Sequence, residues 1–282
     1  MNHNPLIEKT VEGPLSSRAL RELSLFSTLI FVFAALLTQF FLTLFTAMLL
    51  KAYSITFSYS LFAINFLSES ITNWSENQIY FIFGSGPVIL TSAGLFLLFV
   101  MDRIIYTSWK IKLIFTWFAL LMVNALPFSI IAGVFFYEGF GMAFQWLINS
   151  DVIRVIIALL VVLLLIFYSR FWQLKFLKAS YTTAFLENSN TRKIFLKNIY
   201  FIPWIAGFII LLLFNWPFSN FYWRTFLLSV GLMSITIFVR KKRPFRKPNI
   251  MKADKKIFTS RFQILYLIIV LVLIWVAHNF LL

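Results

Sequence analysis

From Leu113 to Tyr137 the chain runs without one charged residue, and Pro127 lies inside the run. A helix needs about 20 apolar residues to cross roughly 30 Å of hydrocarbon, so this stretch is long enough to span a bilayer. Lipid offers no hydrogen bonds, and every backbone group within it must be paired inside the protein. Proline breaks that pairing locally: it donates no N–H, and its ring crowds the carbonyl four residues back. Asn124, Thr116 and Ser129 are the nearby side chains able to compensate, which turns this helix toward other helices. The plain reading is a proline kink with one packing asparagine. The sharper reading is the relic of a catalytic loop.

Six further apolar runs accompany it: Leu23–Leu50, Val88–Tyr106, Val152–Trp172, Ile199–Phe214, Trp223–Val239 and Ile264–Leu282. Hydrophobic residues make up 61% of the chain, against about half in a soluble domain. The sequence therefore predicts an all-α polytopic membrane protein with about seven transmembrane helices. Residues 1–22 read as a cytoplasmic tail, not a cleavable signal, with Arg18–Glu22 starting an interfacial helix. Residues 23–282 read as a single transmembrane domain. Within the second run, Thr91, Ser92, Ala93 and Gly94 form a small-residue face suited to close helix packing.

The formal charge is +15. Such a value invites a nucleic-acid reading, but its distribution argues for a membrane. With the N-terminus inside and seven crossings, 22 of the 25 Lys and Arg fall in inside segments, all but Lys51, Arg154 and Arg224. That is the positive-inside pattern, and it predicts N-terminus in, C-terminus out, in the cytoplasmic (inner) membrane of a bacterium. The most basic stretch, residues 240–261, carries Arg240, Lys241, Lys242, Arg243, Arg246 and Lys247 near its start. It resembles a polybasic loop anchored on anionic headgroups. Membrane lipids are thus the expected partners, and nucleic acid is not.

Residues 51–86 are unusual. Ser54–Leu61 alternates polar and apolar, a strand signal, and Gln78–Phe83 is a second β-prone run closed by Gly84-Ser-Gly-Pro87. With Ser68–Gln78 as the turn, the two runs predict a β-hairpin, re-entrant or interfacial because it is so aromatic. The alternative is an external loop with an amphipathic helix. Further on, Met142–Asn149 is amphipathic, and Leu174–Lys197 reads as a polar connection.

The chemistry on offer is sparse. With no Cys, thiol catalysis and thiolate metal sites are excluded. The two histidines, His3 and His278, are far apart, and no His-Glu-x-x-His exists, so no zinc site and no other cofactor is expected. Gly84-Ser-Gly86 lacks the Lys-Ser/Thr of a phosphate loop. Glu69, Glu76, Glu138 and Asp151 fall in external or interfacial segments, which weakens an ion-coupled transporter. Gln39, Asn65 and Asn124 remain as groups for a neutral solute, and no inverted repeat is apparent.

Gly84-Ser-Gly-Pro87 resembles the Gly-Pro motif of site-2-protease-type intramembrane metalloproteases. Asn124-Ala-Leu-Pro-Phe-Ser-Ile-Ile-Ala-Gly133 resembles that family's Asn-x-x-Pro…Asp-Gly motif at the same spacing, and the hairpin after the first span is similar to the family's re-entrant hairpin. The likeness covers roughly residues 23–167. On this alignment Gln39-Phe-Phe-Leu-Thr43 falls where the family carries His-Glu-x-x-His, and Ala132 where it carries the aspartate ligand. The resemblance therefore implies a relative without catalysis, since no zinc-bound water can form.

Such a scaffold would hold an extended or unwound membrane segment by strand addition. The leading expectation is a non-catalytic binding or assembly factor for a membrane protein or lipid. Its binding or packing residues would be Asn124, Pro127, Gln39, Thr43, Gly86 and Pro87. The alternative is a small transporter for a neutral or lipidic solute, with a polar cavity around Asn124, Gln39 and Pro203. A third reading, an enzyme using Glu138 or Asp151 on lipid headgroups, rests on two acids that solvation explains as well.

Overall fold

The computed structural model describes residues 17–59, 64–66, 74–103, 108–136, 139–180, 184–187, 189–214, 228–231 and 267–272. Among them, five helical stretches are long and apolar enough to cross a membrane: 17–52, 76–101, 109–135, 151–178 and 189–213. The first five apolar runs of the sequence lie within or largely overlap these helices. Of the sixth and seventh runs only the helical residues 228–231 and 267–272 are described, and the basic stretch 240–261 lies outside the described residues.

Helix α1 (Ser17–Ala52) begins before the predicted span. Arg18 and Glu22 pair across one turn of it, so the helix predicted to start at Arg18–Glu22 is the opening turn of α1. It ends on a reciprocal pair of bonds, Ile55 N–H to the Leu50 carbonyl (3.0 Å) and Ser54 N–H to that of Lys51 (3.1 Å). This is a Schellman closure, with Ser54 at φ 56° in the left-handed region. Leu50 and Ile55 join one apolar cluster, the contact that usually accompanies such a closure.

The reversed chain enters strand β1 (Phe57–Tyr59), which pairs antiparallel with β2 (Ile64–Phe66) in the register Phe57 to Phe66. Gln78–Phe83, predicted as the second strand, is instead helical. It belongs to α2 (Glu76–Arg103). The reason is a capping box: Ser75 N–H donates to Gln78 Oε1 (2.9 Å) and Gln78 N–H to Ser75 Oγ (3.4 Å). Two orphan donors are satisfied reciprocally, and the helix starts there. Gly84–Pro87 thus lies inside α2 rather than opening it.

Helix α3 (Trp109–Phe135) stays helical through Pro127. Aromatic pairs order it against α1: Phe26 on Trp109, Phe31 on Trp117 and Phe33 on Phe118, with centroids at 5.9, 4.9 and 6.1 Å. Because both series ascend together, α1 and α3 run parallel. Helix α4 (Phe140–Leu147) is short and amphipathic, as the sequence predicts for this stretch. It lies on the far end of α3, where Gln145 Nε2 donates to the Gly133 carbonyl at 3.0 Å. A side chain at Gly141 would strike the Phe136 carbonyl.

Helix α5 (Asp151–Lys178) buries Ala158, Leu165, Ser169, Trp172 and Phe176, a spacing that repeats one face of a 3.6-residue helix. Its other faces expose Ile153, Ile156, Leu160, Leu163 and Phe167. The predicted polar connection of residues 174–197 is largely helical. It holds the end of α5, α6 (Ala184–Glu187) and α7 (Ser189–Leu196). α7 continues through a π-turn, Lys197–Phe201, into α8 (Ile202–Phe214). At Gly207 a side chain would run into Phe31 of α1, so glycine lets α8 and α1 approach closely.

One large core joins α1, α3, α5, α7 and α8, with Trp117, Trp172, Tyr200, Phe31 and Phe176 among its largest fully buried side chains. A second cluster, around Leu50, Ile79, Ile82 and Ala143, closes the end of the molecule that carries the β1–β2 pair and α4.

Candidate functional site

The three segments that carry the family resemblance lie on α1, α2 and α3, and these helices meet. Leu42, Leu90 and Ala125, one residue from each helix, form a separate buried cluster. Gly86 faces α1 there: a side chain on it would touch Leu42 Cδ2 at 3.5 Å and Thr46 Oγ1 at 3.9 Å. The cluster itself is apolar, and the Thr46 hydroxyl beside it donates back to the Leu42 carbonyl of its own helix (3.0 Å). Thr43 is buried, and its hydroxyl donates back to the Gln39 carbonyl of its own helix (3.0 Å). Gln39 is half-buried. Ala132 is fully buried, two turns beyond Ala125, and belongs to the large core.

Between α2 and α3 the contact is tighter still. A side chain at Gly94 would lie 2.7 Å from the Val123 backbone nitrogen and 2.8 Å from Met122 Cβ. One turn away, Leu126 N–H donates to Thr91 Oγ1 (3.1 Å), and the Thr91 hydroxyl donates to the Met122 carbonyl (3.4 Å). Met122 is the residue whose carbonyl a regular helix would pair with Leu126. Thr91 therefore sits beside that rung, immediately before Pro127. Of the predicted small-residue face, Thr91 and Gly94 meet α3, while Ser92 and Ala93 are exposed.

The side chains expected to serve the carbonyl freed by Pro127 are committed elsewhere. Ser129 Oγ donates to the Ala125 carbonyl (2.6 Å) and Thr116 Oγ1 to that of Lys112 (2.7 Å). Asn124 is bonded to residues 228–231 instead. Its Nδ2 donates to Ser229 Oγ at 2.6 Å, its Oδ1 has no partner, and the residue is 0% exposed. A buried acceptor without a donor costs about 1–3 kcal/mol, so this is the least satisfied polar position on α3.

A second polar knot binds α1, α3 and the π-turn. Trp117 Nε1 donates to Ser27 Oγ (2.8 Å), and the Ser27 hydroxyl donates to the Ile199 carbonyl (2.6 Å). Ile199 lies in the π-turn, where the widened helix departs from the regular i to i+4 ladder. Tyr200, the next residue, stacks on Phe176 at 4.8 Å and donates from its hydroxyl to the Val230 carbonyl (3.0 Å). Residues 228–231 are thus tied twice, by Asn124 to Ser229 and by Tyr200 to Val230.

Ser27, Ser229 and Tyr200 are not among the residues that the sequence singles out. The signal available for them is slight: isolated hydroxyl residues inside apolar runs, which favour interhelical bonding. Pro203 is buried in α8. Asp151 is exposed and pairs with Arg154 on its own helix. Among the described residues no three His, Asp or Glu side chains come together as a metal site would need. Glu69, Glu138, His3 and His278, and all six basic-loop residues from Arg240 to Lys247, lie outside the described residues. No family model matches this chain, and neither characterised proteins nor solved structures return a match.

Proposed function

We infer that this chain is a non-catalytic multi-pass membrane protein that binds or assembles another membrane protein or a lipid, on a core resembling that of site-2 proteases without its zinc site. The supporting observation is the α1–α2–α3 junction. The three motif-bearing helices converge on Leu42, Leu90 and Ala125, and the position is filled by apolar side chains. A hydrolytic zinc site needs ionisable ligands and an open coordination position, whereas a scaffold for partner binding needs only a rigid, closed core. The short β1–β2 pair presents strand edges for an added segment, and in this reading it is re-entrant.

The same reading carries seven spans, the N-terminus inside, the C-terminus outside, in a bacterial inner membrane. The helix directions agree with this arrangement. The starts of α1, α3 and α7 and the ends of α2 and α5 carry Arg18, Arg21, Lys110, Lys112, Arg192, Lys193, Arg103, Lys175 and Lys178, while the opposite ends carry Lys51 and Arg154. The six cations from Arg240 to Lys247 would hold anionic headgroups on the same side.

The deciding experiment is co-purification from native membranes in mild detergent, with bound proteins and lipids identified by mass spectrometry. A stoichiometric membrane-protein partner, lost when residues 55–66 become a Gly-Ser linker, supports the reading. A monodisperse chain without partner that conducts solute in liposomes replaces it with the transporter, for which Asn124 is the polar group at hand.

A further inference from the structure

Helix α7 passes into α8 through a widened turn, and the widening needs a cause. Ile202 N–H donates to the Lys197 carbonyl, five residues back instead of four. Proline alone does not explain it. Pro87 and Pro127 lie inside α2 and α3, and both helices keep the α pattern. Pro203 acts on the turn in another way. In a regular helix the N–H of residue 203 would serve the Ile199 carbonyl, and proline has none. The Ser27 hydroxyl of α1 donates to that carbonyl at 2.6 Å instead, while Trp117 Nε1 of α3 donates to Ser27 Oγ at 2.8 Å.

Tyr200 is the second anchor. It is fully buried, stacks on Phe176 of α5, and donates from its hydroxyl to the Val230 carbonyl. Consecutive residues of the turn are thus held from outside their own helix. An i to i+5 closure encloses one residue more than an α-turn, so the turn stores a spare residue. Beyond it α8 is fixed: a side chain at Gly207 would strike Phe31 of α1, and one at Gly231 would strike Trp204. Before it α7 can slip by one residue. Phe195 and Leu196 are buried and Ile194 is exposed, and these three apolar neighbours keep an apolar contact with the core in either register. Lys197, brought inward by the slip, can extend its ammonium along the helix to the membrane surface.

We propose that residues 197–201 are a two-state joint, held wide by Ser27 and Tyr200 and relaxing to regular helix when either anchor lets go. Taking the spare residue into the regular ladder moves α7 by one position against α8. That is a rotation of about 100° and a rise of about 1.5 Å. Arg192, Lys193 and Lys197 rotate with it, so the basic end of α7 presents a different side in each state. The anchors lie in the core shared by α1, α3 and α5, and the joint therefore couples the packing of that core to the surface of α7. It is independent of the resemblance to site-2 proteases and of partner binding at the β1–β2 pair.

The test uses the full chain in lipid nanodiscs. The chain has no Cys, so nitroxides are placed at Asn190→Cys on α7 and Phe96→Cys on α2, both exposed. Their separation is read by pulsed electron paramagnetic resonance. Ser27→Ala should raise the share of a second distance roughly fivefold, the factor that one hydrogen bond contributes on balance. The displacement should be up to about 8 Å, the chord of such a rotation on a helix about 11 Å across. Tyr200→Phe keeps the ring stack and loses only the hydroxyl. It should do the same, and it carries the test if Ser27→Ala does not fold. Thr28→Ala removes a hydroxyl that bonds back to the Ser24 carbonyl of α1, and should match wild type.

A deletion separates the joint from a core that has merely loosened. Removing Asn198 from either variant takes out the spare residue and leaves a regular helix, with α7 where wild type holds it. The second distance should then disappear. A second distance that survives the deletion overturns the joint. So does its absence from both Ser27→Ala and Tyr200→Phe, or its appearance in Thr28→Ala.

Discussion

The indole N–H of Trp117 donates to Ser27 Oγ at 2.8 Å, and that hydroxyl passes its own hydrogen to the Ile199 carbonyl at 2.6 Å. One serine therefore satisfies a tryptophan from α3 and a carbonyl of the π-turn, all fully enclosed. Replacing Ser27 by Ala strands both groups. We expect a loss of about 2 kcal/mol, between the general cost of orphaned buried groups and the smaller values met in membranes. Trp117→Phe removes the donor alone, so the two substitutions should be coupled, by about 1 kcal/mol in a double-mutant cycle. Reversible unfolding in mixed micelles measures both; additivity would dismiss the network.

Asn124 and Ser229 should behave asymmetrically. Ser229→Ala leaves the Asn124 Nδ2 without its 2.6 Å partner while Oδ1 is already unpaired. Asn124→Ala removes both carboxamide groups together. Leaving a buried group unsatisfied costs more than deleting it, so Ser229→Ala should be the more destabilising, by about 1 kcal/mol. The reverse order in the same unfolding assay would mean that a water already serves the carboxamide.

Two glycines of α2 invite opposite outcomes. At Gly94 a methyl group would lie 2.7 Å from the Val123 nitrogen, which is backbone and cannot rotate away. Gly94→Ala should cost roughly 1–3 kcal/mol through overpacking. Gly84 has nothing within 4 Å of the same position, and Gly84→Ala should gain up to about 1 kcal/mol from helix propensity. Melting temperatures of the two variants, moving apart, check the α2–α3 packing.

Ser54 closes α1 at φ 56°, a conformation that glycine adopts without strain. Ser54→Gly should stabilise by about 1 kcal/mol, and Ser54→Val should destabilise, because branching at Cβ makes positive φ worse. If Gly and Val have equal effects on thermal unfolding, the Schellman closure is not formed.

The absence of Cys makes orientation directly measurable. Each engineered cysteine is the sole thiol. Ser75→Cys should react with an impermeant maleimide from outside intact cells, and Asn190→Cys only after the membrane is opened. The opposite labelling would invert the proposed orientation.

The sequence by itself determined where the apolar centres of the first five long helices lie, though not where those helices begin, and which ends carry the cations. Both are local quantities: a run of apolar residues and the charges flanking it. It also held a helix-start signal for α2, Ser75 with Gln78 three residues on, which went unread beside the aromatic β-prone run 78–83. Helix won because α2 pairs its backbone internally, whereas an isolated short hairpin is marginal at best. Only the tertiary structure decided how the polar groups inside the spans are used. Asn124 stands beside Pro127 in sequence yet bonds Ser229, 105 residues away, and Thr91 of the neighbouring helix reaches the rung before Pro127. Ser27 finds its partners 90 and 172 residues along the chain. Hydropathy places a residue in the membrane, but a hydrogen bond depends on distance and direction between atoms of different helices, and that geometry is set by how the helices pack.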